Sequence, residues 1–97
     1  MYKIIQYSAP AQDFESITVS NTAVGLTPAK IASKEGCFIS VEDQTIRYRY
    51  DGADPTASVG HILYPASRMN LMHPTILGDV KFIRAESSDA TLRVTYF

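Results

Sequence analysis

The stretch that decides the fold is IRYRYDGADPTASVG, residues 46–60. Its first part alternates, with Ile and Tyr side chains on one side of the chain and Arg47 and Arg49 on the other. A period of two is typical of a β-strand, because successive side chains of a strand point to opposite faces. The second part is rich in Asp, Gly and Pro, which end strands and build turns. The stretch therefore predicts a strand over residues 45–50 and a loop over residues 51–60.

The same periodicity recurs along the chain and predicts seven further short strands. They are expected at residues 2–7, 14–20, 37–42, 61–64, 69–72, 79–85 and 91–97. The segment 21–36 is less regular. Its Thr27-Pro28 pair is placed like an N-cap followed by proline at the first helical position, so a loop with at most two helical turns is expected there. Asp43-Gln44 has the length of a two-residue hairpin turn.

Seven or eight short antiparallel strands at this spacing predict an all-β fold. Each strand has one apolar face to bury, and two sheets packed face to face bury them together. We expect one domain over residues 1–97, either a β-sandwich or a jelly-roll-like barrel, in which residues 1–13 form an extended arm or an edge strand.

The composition argues against several functional classes. Nine Lys and Arg against ten Asp and Glu give a net charge of -1, too little positive charge for binding nucleic acid through its phosphates. No apolar run reaches the roughly 18 residues of a membrane span, and the apolar start is too short for a signal peptide. The single Cys37 forms no internal disulfide and suits synthesis in a reducing cytoplasm.

No catalytic or metal-binding pattern is apparent, so an enzyme, a cofactor and a metal are not expected. His61 and His73 are the only imidazoles and lack further ligands at metal-site spacing. Cys37 lies on the apolar face of a predicted strand, which favours a packed thiol over a nucleophile. Ser58 lacks the first Gly and the strand-turn-helix setting of a nucleophile elbow.

Two groups of residues are candidates for binding. Arg47 and Arg49 share one face of the predicted strand, whereas Tyr48 and Tyr50 are assigned to the core or to a buried seam. Arg and Tyr are frequent in interface hot spots, although a solvated face, or pairing of Arg with Glu42 across strands, is the alternative. The candidate interface comprises Arg47, Arg49, Tyr2, Tyr7 and Phe97.

The loop after this strand is the second candidate. Asp51-Gly52-Ala53-Asp54 falls short of the spacing of an EF-hand, and its Asp and Gly are typical of turns that bond side chain to backbone. A second role of the loop, if it has one, is expected to be binding and not catalysis. The loop residues considered are Asp51, Gly52, Asp54, Pro55 and Thr56.

The order of the motifs resembles a known group of proteins. The motifs are TVSNTAVGLT at residues 18–27, ISVE at 39–42, IRYRYDG at 46–52 with Pro55-Thr56 and Gly60-His61, and LRVTYF at 92–97. This order is similar to that of small β-sandwich structural proteins encoded by tailed bacteriophages and prophages. The similarity covers most of the chain from residue 18 onward, and its motifs concern folds and turns.

The resemblance implies a structural component of a virion, with capsid decoration, or cement, as the closest role. It implies assembly in the virion after synthesis in the host cytoplasm, as a homo-oligomer in contact with capsid or other virion proteins. A head-tail or tail-associated component is an alternative within such gene clusters. A lectin-like or receptor-binding sandwich that uses the 51–60 loop is the alternative from another class.

Overall fold

A computed structural model describes residues 10–97 and contains two four-stranded antiparallel sheets. The strand order is β1-β8-β3-β6 in the first sheet and β2-β7-β4-β5 in the second. The predicted all-β fold is confirmed. The bounds of the strands and of two short helices are β1 Asp13–Val19, β2 Val24–Gly25, α1 Pro28–Ile31, β3 Cys37–Val41, β4 Ile46–Arg49, β5 His61–Leu63, β6 Arg68–Leu71, α2 Pro74–Asp79, β7 Lys81–Arg84 and β8 Ala90–Tyr96.

The topology is that of a folded ribbon. Strand β4 pairs with β5, β3 with β6, β2 with β7 and β1 with β8, all antiparallel, so the chain doubles back on itself from the 50–60 loop outward. Two more pairings, β8 with β3 and β7 with β4, roll this ribbon into two sheets. This arrangement is the jelly roll, one of the two architectures that the strand pattern left open.

The core lies between the sheets and is built by the alternation in the strand sequences. In β8, Ala90, Leu92, Val94 and Tyr96 are buried, whereas the residues between them are wholly or partly accessible. Strand β3 repeats the pattern, with Cys37, Ile39 and Val41 buried. Strands β1 and β3 flank β8, so the apolar faces of three strands meet in one layer.

The predicted hairpin at Asp43-Gln44 is wrong. Strands β3 and β4 lie in different sheets, and the connection between them is a corner of the sandwich. The stretch lacks the Gly or Asn-Gly that two-residue hairpin turns favour. Instead, the Asp43 carboxylate accepts a hydrogen bond from the Thr91 backbone N–H at 3.0 Å, which ties the corner to β8.

The helical segments differ in how well the sequence predicted them. Thr27 and Pro28 are the N-cap and first residue of the one-turn α1, as expected, but the Thr27 hydroxyl donates to Glu15 at 2.6 Å and does not cap the helix. Strand β2 and α2 were not predicted. Helix α2 begins with Pro74 after His73, whose Nδ1 accepts from the Thr75 N–H at 3.1 Å.

The predicted opening strand at residues 2–7 lies outside the described residues. The remaining predicted strands are found with ends displaced by at most two residues; for example, the strand expected at 79–85 is Lys81–Arg84. Within residues 10–97, neither helix is long and apolar enough to cross a membrane.

Replacing the buried Leu92 with alanine tests the central role of β8. Leu92 is fully buried, so Leu92→Ala removes core contacts and is expected to lower the free energy of unfolding by about 2–5 kcal/mol. Thr91→Ala, next to it on the accessible face, is the matched control and is expected to cost about 1 kcal/mol or less. Urea denaturation followed by circular dichroism measures both. Equal losses for the two variants would contradict the assignment of faces.

Candidate functional site

The 51–60 loop is held against the second sheet by one arginine. The Arg47 side chain donates from Nε to the Ala57 carbonyl at 3.0 Å and from Nη1 to the Gly60 carbonyl at 2.9 Å. A planar guanidinium can make such a two-point contact because its donors have a fixed geometry. Arg47 is therefore a structural clamp of the loop, and its guanidinium is already engaged within the chain.

The loop is further ordered by its own turns. The Thr56 hydroxyl accepts from the Val59 N–H at 3.0 Å and from the Ser58 N–H at 3.3 Å. Pro55 is buried, and Gly60 has a φ of +137°, a conformation that L side chains rarely adopt. A Cβ at Gly60 would lie 3.0 Å from the Tyr48 carbonyl oxygen and 3.2 Å from the Pro55 Cβ. The loop thus approaches β4 too closely for any residue except glycine.

Arg49 forms a bidentate ion pair with Asp51. Nε of Arg49 lies 3.1 Å from one carboxylate oxygen, and Nη2 lies 2.6 Å from the other. These hydrogen bonds lower the pKa of Asp51 to about 2 and raise the pKa of Arg49. The Asp51 carboxylate also accepts from the Ala53 N–H at 3.4 Å, as expected of a turn-building aspartate. The alternative that Arg47 or Arg49 pairs with Glu42 across strands is not found, because Glu42 binds Arg93 at 2.9 Å.

Three rings gather where β4 and β5 meet the loop. The ring centroids are 6.2 Å apart for Tyr48 and Tyr50, 5.3 Å for Tyr48 and His61, and 5.9 Å for Tyr50 and His61. Tyr48 is half-buried against the core, where burial and the neighbouring Tyr50 raise its pKa. The assignment of Tyr50 to the core is wrong, since this side chain is 47% exposed beyond the end of β4.

An open cleft of about 530 Å³ lies beside these rings. We call it the ring cleft. Of the candidate loop residues, only Asp51 lines the cleft. Val59 of the same loop also lines it and is 51% exposed, although the sequence did not single this residue out for binding. Its lining consists of Arg49, Tyr50, Asp51, Val59, Gly60 and His61.

A second surface lies on the outer face of the first sheet. The registers align Phe14 of β1, Thr95 of β8, Phe38 of β3 and Asn70 of β6 in a row across the sheet, which we call the phenylalanine row. Phe14 is 55% exposed. The next row, Ser16, Arg93, Ser40 and Arg68, has two charged side chains, and Arg93 is already bound to Glu42 and Ser16.

The predicted interface residues that the structure describes do not form one exposed surface. Arg47 and Arg49 are engaged with the loop, and Tyr2 and Tyr7 lie outside the described residues. Phe97 is 2% exposed, and its backbone N–H donates to the Gly36 carbonyl. The prediction that Phe97 lies on an interface surface of the chain is therefore wrong. Sequence reasoning missed Phe14 as a surface residue, although its position among Ser and Thr on one strand face was a signal.

The residues considered for catalysis have structural roles. Burial raises the pKa of the Cys37 thiol to about 12, which disfavours the reactive thiolate. His73 caps α2, and His61 belongs to the ring cleft. Across the described part of the chain, no three His, Cys, Asp or Glu side chains are grouped as a metal site would require.

The buried Tyr96 hydroxyl connects several elements. It donates to Glu15 of β1, and the same carboxylate accepts from Thr27 ahead of α1. Burial and the carboxylate raise the pKa of Tyr96. The phenol is therefore a neutral packing group with its one donor satisfied.

Comparison of the chain with protein-family models, with curated proteins and with solved structures finds no significant match.

Gly60→Ala is expected to destabilise the fold. The added Cβ meets backbone at 3.0 Å and imposes an unfavourable φ, so a loss of about 1–3 kcal/mol is expected. Gly78→Ala is the matched control, because a Cβ there meets nothing within 4 Å and alanine favours the helix by about 0.5–1 kcal/mol. Chemical denaturation compares the two. A neutral Gly60→Ala would contradict the close approach of the loop to β4.

The low pKa of Asp51 is expected to depend on its hydrogen bonds with Arg49. Asp51 should show a pKa of about 2 by NMR of its carboxyl carbon, rising toward 3.8 in Arg49→Gln. Because the folded-state pKa is lower than the unfolded one, the contribution of the pair to stability is complete above the unfolded value and is lost as the pH falls through the folded value. Arg68→Gln, on the other sheet, is the control. An unchanged Asp51 pKa in Arg49→Gln would refute the pairing.

Proposed function

We propose that this protein is a non-enzymatic structural component of a phage virion, a capsid decoration protein that acts through protein–protein contacts. The observation that carries the proposal is the phenylalanine row on the outer face of the first sheet, which contains two phenylalanines and no charged residue. Exposed aromatic side chains and a depletion of charge are typical of the centre of protein interfaces.

The fold is compatible with this role. Jelly rolls are common in viral capsid proteins and also in lectins and enzymes, so function must be argued from the surface. The resemblance of the motif order to small phage β-sandwich proteins adds support from the sequence. A head-tail or tail-associated role would use the same kind of contact and remains the alternative within this proposal.

The partner that we assign to the phenylalanine row is a second copy of this chain. The Phe14 ring is 55% exposed on the sheet face, and the phenylalanines of a second copy would displace the water that it contacts. Each Å² of apolar surface removed from water contributes about 25 cal/mol. Self-association would also add buried area to a chain of 97 residues, a size at which the core is limited. The oligomer would then dock on capsid subunits.

Self-association through this row is tested by Phe14→Ser. Size-exclusion chromatography with light scattering is expected to give an oligomer for the unaltered chain and a monomer, or a weakening of at least about tenfold, for Phe14→Ser, since a hot-spot aromatic contributes about 2 kcal/mol or more. Tyr64→Ser is the matched control, because Tyr64 is 59% exposed outside both surfaces. An unaltered chain that is monomeric at every concentration would contradict the self-association.

The role itself is tested on virions. Cryo-electron microscopy of the phage whose genome encodes this chain is expected to show density for the jelly roll on the capsid shell. Density at the neck or tail would support the connector alternative. Absence of the chain from purified virions, judged by mass spectrometry, would contradict the proposal as a whole.

A further inference from the structure

The ring cleft is built differently from the phenylalanine row. It combines one exposed aromatic face, an apolar side chain and a charged pair around a concavity of about 530 Å³. Small-molecule sites have this composition and lie within a range of roughly 300–1,000 Å³. The cleft also occupies the tip of the folded ribbon, where a loop projects from a rigid scaffold.

The ring of Tyr50 is positioned before any ligand arrives. It stacks on His61 with centroids 5.9 Å apart and lies 6.2 Å from Tyr48, which is itself packed on the core. A ring fixed by its neighbours loses little conformational freedom on binding. The backbone at Val59, which also lines the cleft, is held as well, because its N–H donates to the Thr56 hydroxyl and Arg47 binds the next carbonyl, that of Gly60.

The charges of the cleft cancel each other. Arg49 and Asp51 neutralise one another in a bidentate pair. Outside the lining, Lys81 is the register partner of Arg49 on β7, and the Asp79 carboxylate lies 3.9 Å from where a Cβ of Gly52 would be, so one charge of each sign lies near the cleft. An anion would therefore meet Asp51, and a cation would meet Arg49. The cleft suits a ligand that is neutral yet rich in both hydrogen-bond donors and acceptors.

We propose that the ring cleft binds a neutral saccharide. The electron-rich face of Tyr50 packs against the C–H face of a pyranose ring, whose hydrogens carry slight positive charge. The sugar hydroxyls donate to the remaining lone pairs of Asp51 and accept from the guanidinium of Arg49, which suits a group that is both donor and acceptor. This site is independent of self-association through the first sheet.

The proposal is tested by NMR titration of the full chain with methyl glycosides of glucose, galactose, mannose and N-acetylglucosamine. At least one glycoside is expected to shift the amide signals of Tyr50, Val59 and His61 with a millimolar Kd, a few kcal/mol of affinity. Tyr50→Ala should weaken binding at least about tenfold, and Asp51→Asn at least about fivefold, both near the effect of one hydrogen bond or ring contact. Tyr50→Phe, which keeps the ring, should bind within about threefold of the unaltered chain.

Two controls make the result decisive. Tyr64→Ala alters an exposed tyrosine outside the cleft and should bind unchanged, while Tyr50→Ala must keep the remaining amide signals in place, as expected for a half-exposed residue. Parallel titrations use inorganic phosphate, adenosine and a short tyrosine-containing peptide. Tighter binding of any of these, equal binding by Tyr50→Ala, or no shifts with any glycoside at about 50 mM would overturn the assignment.

Discussion

The pairing of β8 with both β1 and β3 is the constraint on which the structure depends. Without the β3–β8 and β4–β7 pairings the chain would be a long folded ribbon, exposing its apolar face along its whole length. Strand β8 satisfies this constraint because its sequence alternates strictly, with Ala90, Leu92, Val94 and Tyr96 turned inward. A shift of one residue would place threonines and Arg93 in the core, so the register is fixed by burial.

The loop at residues 51–60, at the other end of the ribbon, is held mainly by hydrogen bonds and not by apolar burial. Around residues 51–60 few side chains are buried, and the backbone is held by polar contacts from Arg47 and Thr56 and by the close approach at Gly60. Hydrogen bonds of this kind are directional, whereas apolar burial is not. The loop can therefore hold Tyr50 and Val59 in exposed positions that the hydrophobic effect alone would disfavour.

The sequence predicted the elements better than their partners. Alternation in residues such as Cys37 to Val41 identifies a strand and its buried face, because both depend on local periodicity. The choice of sheet depends on contacts between distant residues, such as Asp43 with Thr91, and two-residue spacing alone suggested a hairpin. Helix α2 was missed because six residues with a Gly carry no helical periodicity, although Pro74 occupied a position typical of a first turn.

The same limit applies to the candidate site. Turn chemistry correctly indicated that Asp51 and Gly52 build a turn, since the Asp51 carboxylate accepts from the Ala53 N–H and Gly52 has a positive φ. The role of Arg47 could not be inferred, because its partners at Ala57 and Gly60 are brought back only when β5 pairs with β4. Arginine on an open strand face is compatible with solvent, a partner protein or a loop, and the fold decides among them.

The phenylalanine row and the ring cleft are built on different sheets. The phenylalanine row faces outward from the sheet that contains β1 and β8, whereas Tyr50 and His61 belong to the end of the sheet that contains β4 and β5. Tyr48 and His61 are register partners on the side of the second sheet that packs on the core, so the ring cleft opens at the end of this sheet, and none of its lining residues belongs to the phenylalanine row. The self-association and the saccharide binding proposed above therefore use separate sets of residues, so a variant in one set can be tested without altering the other.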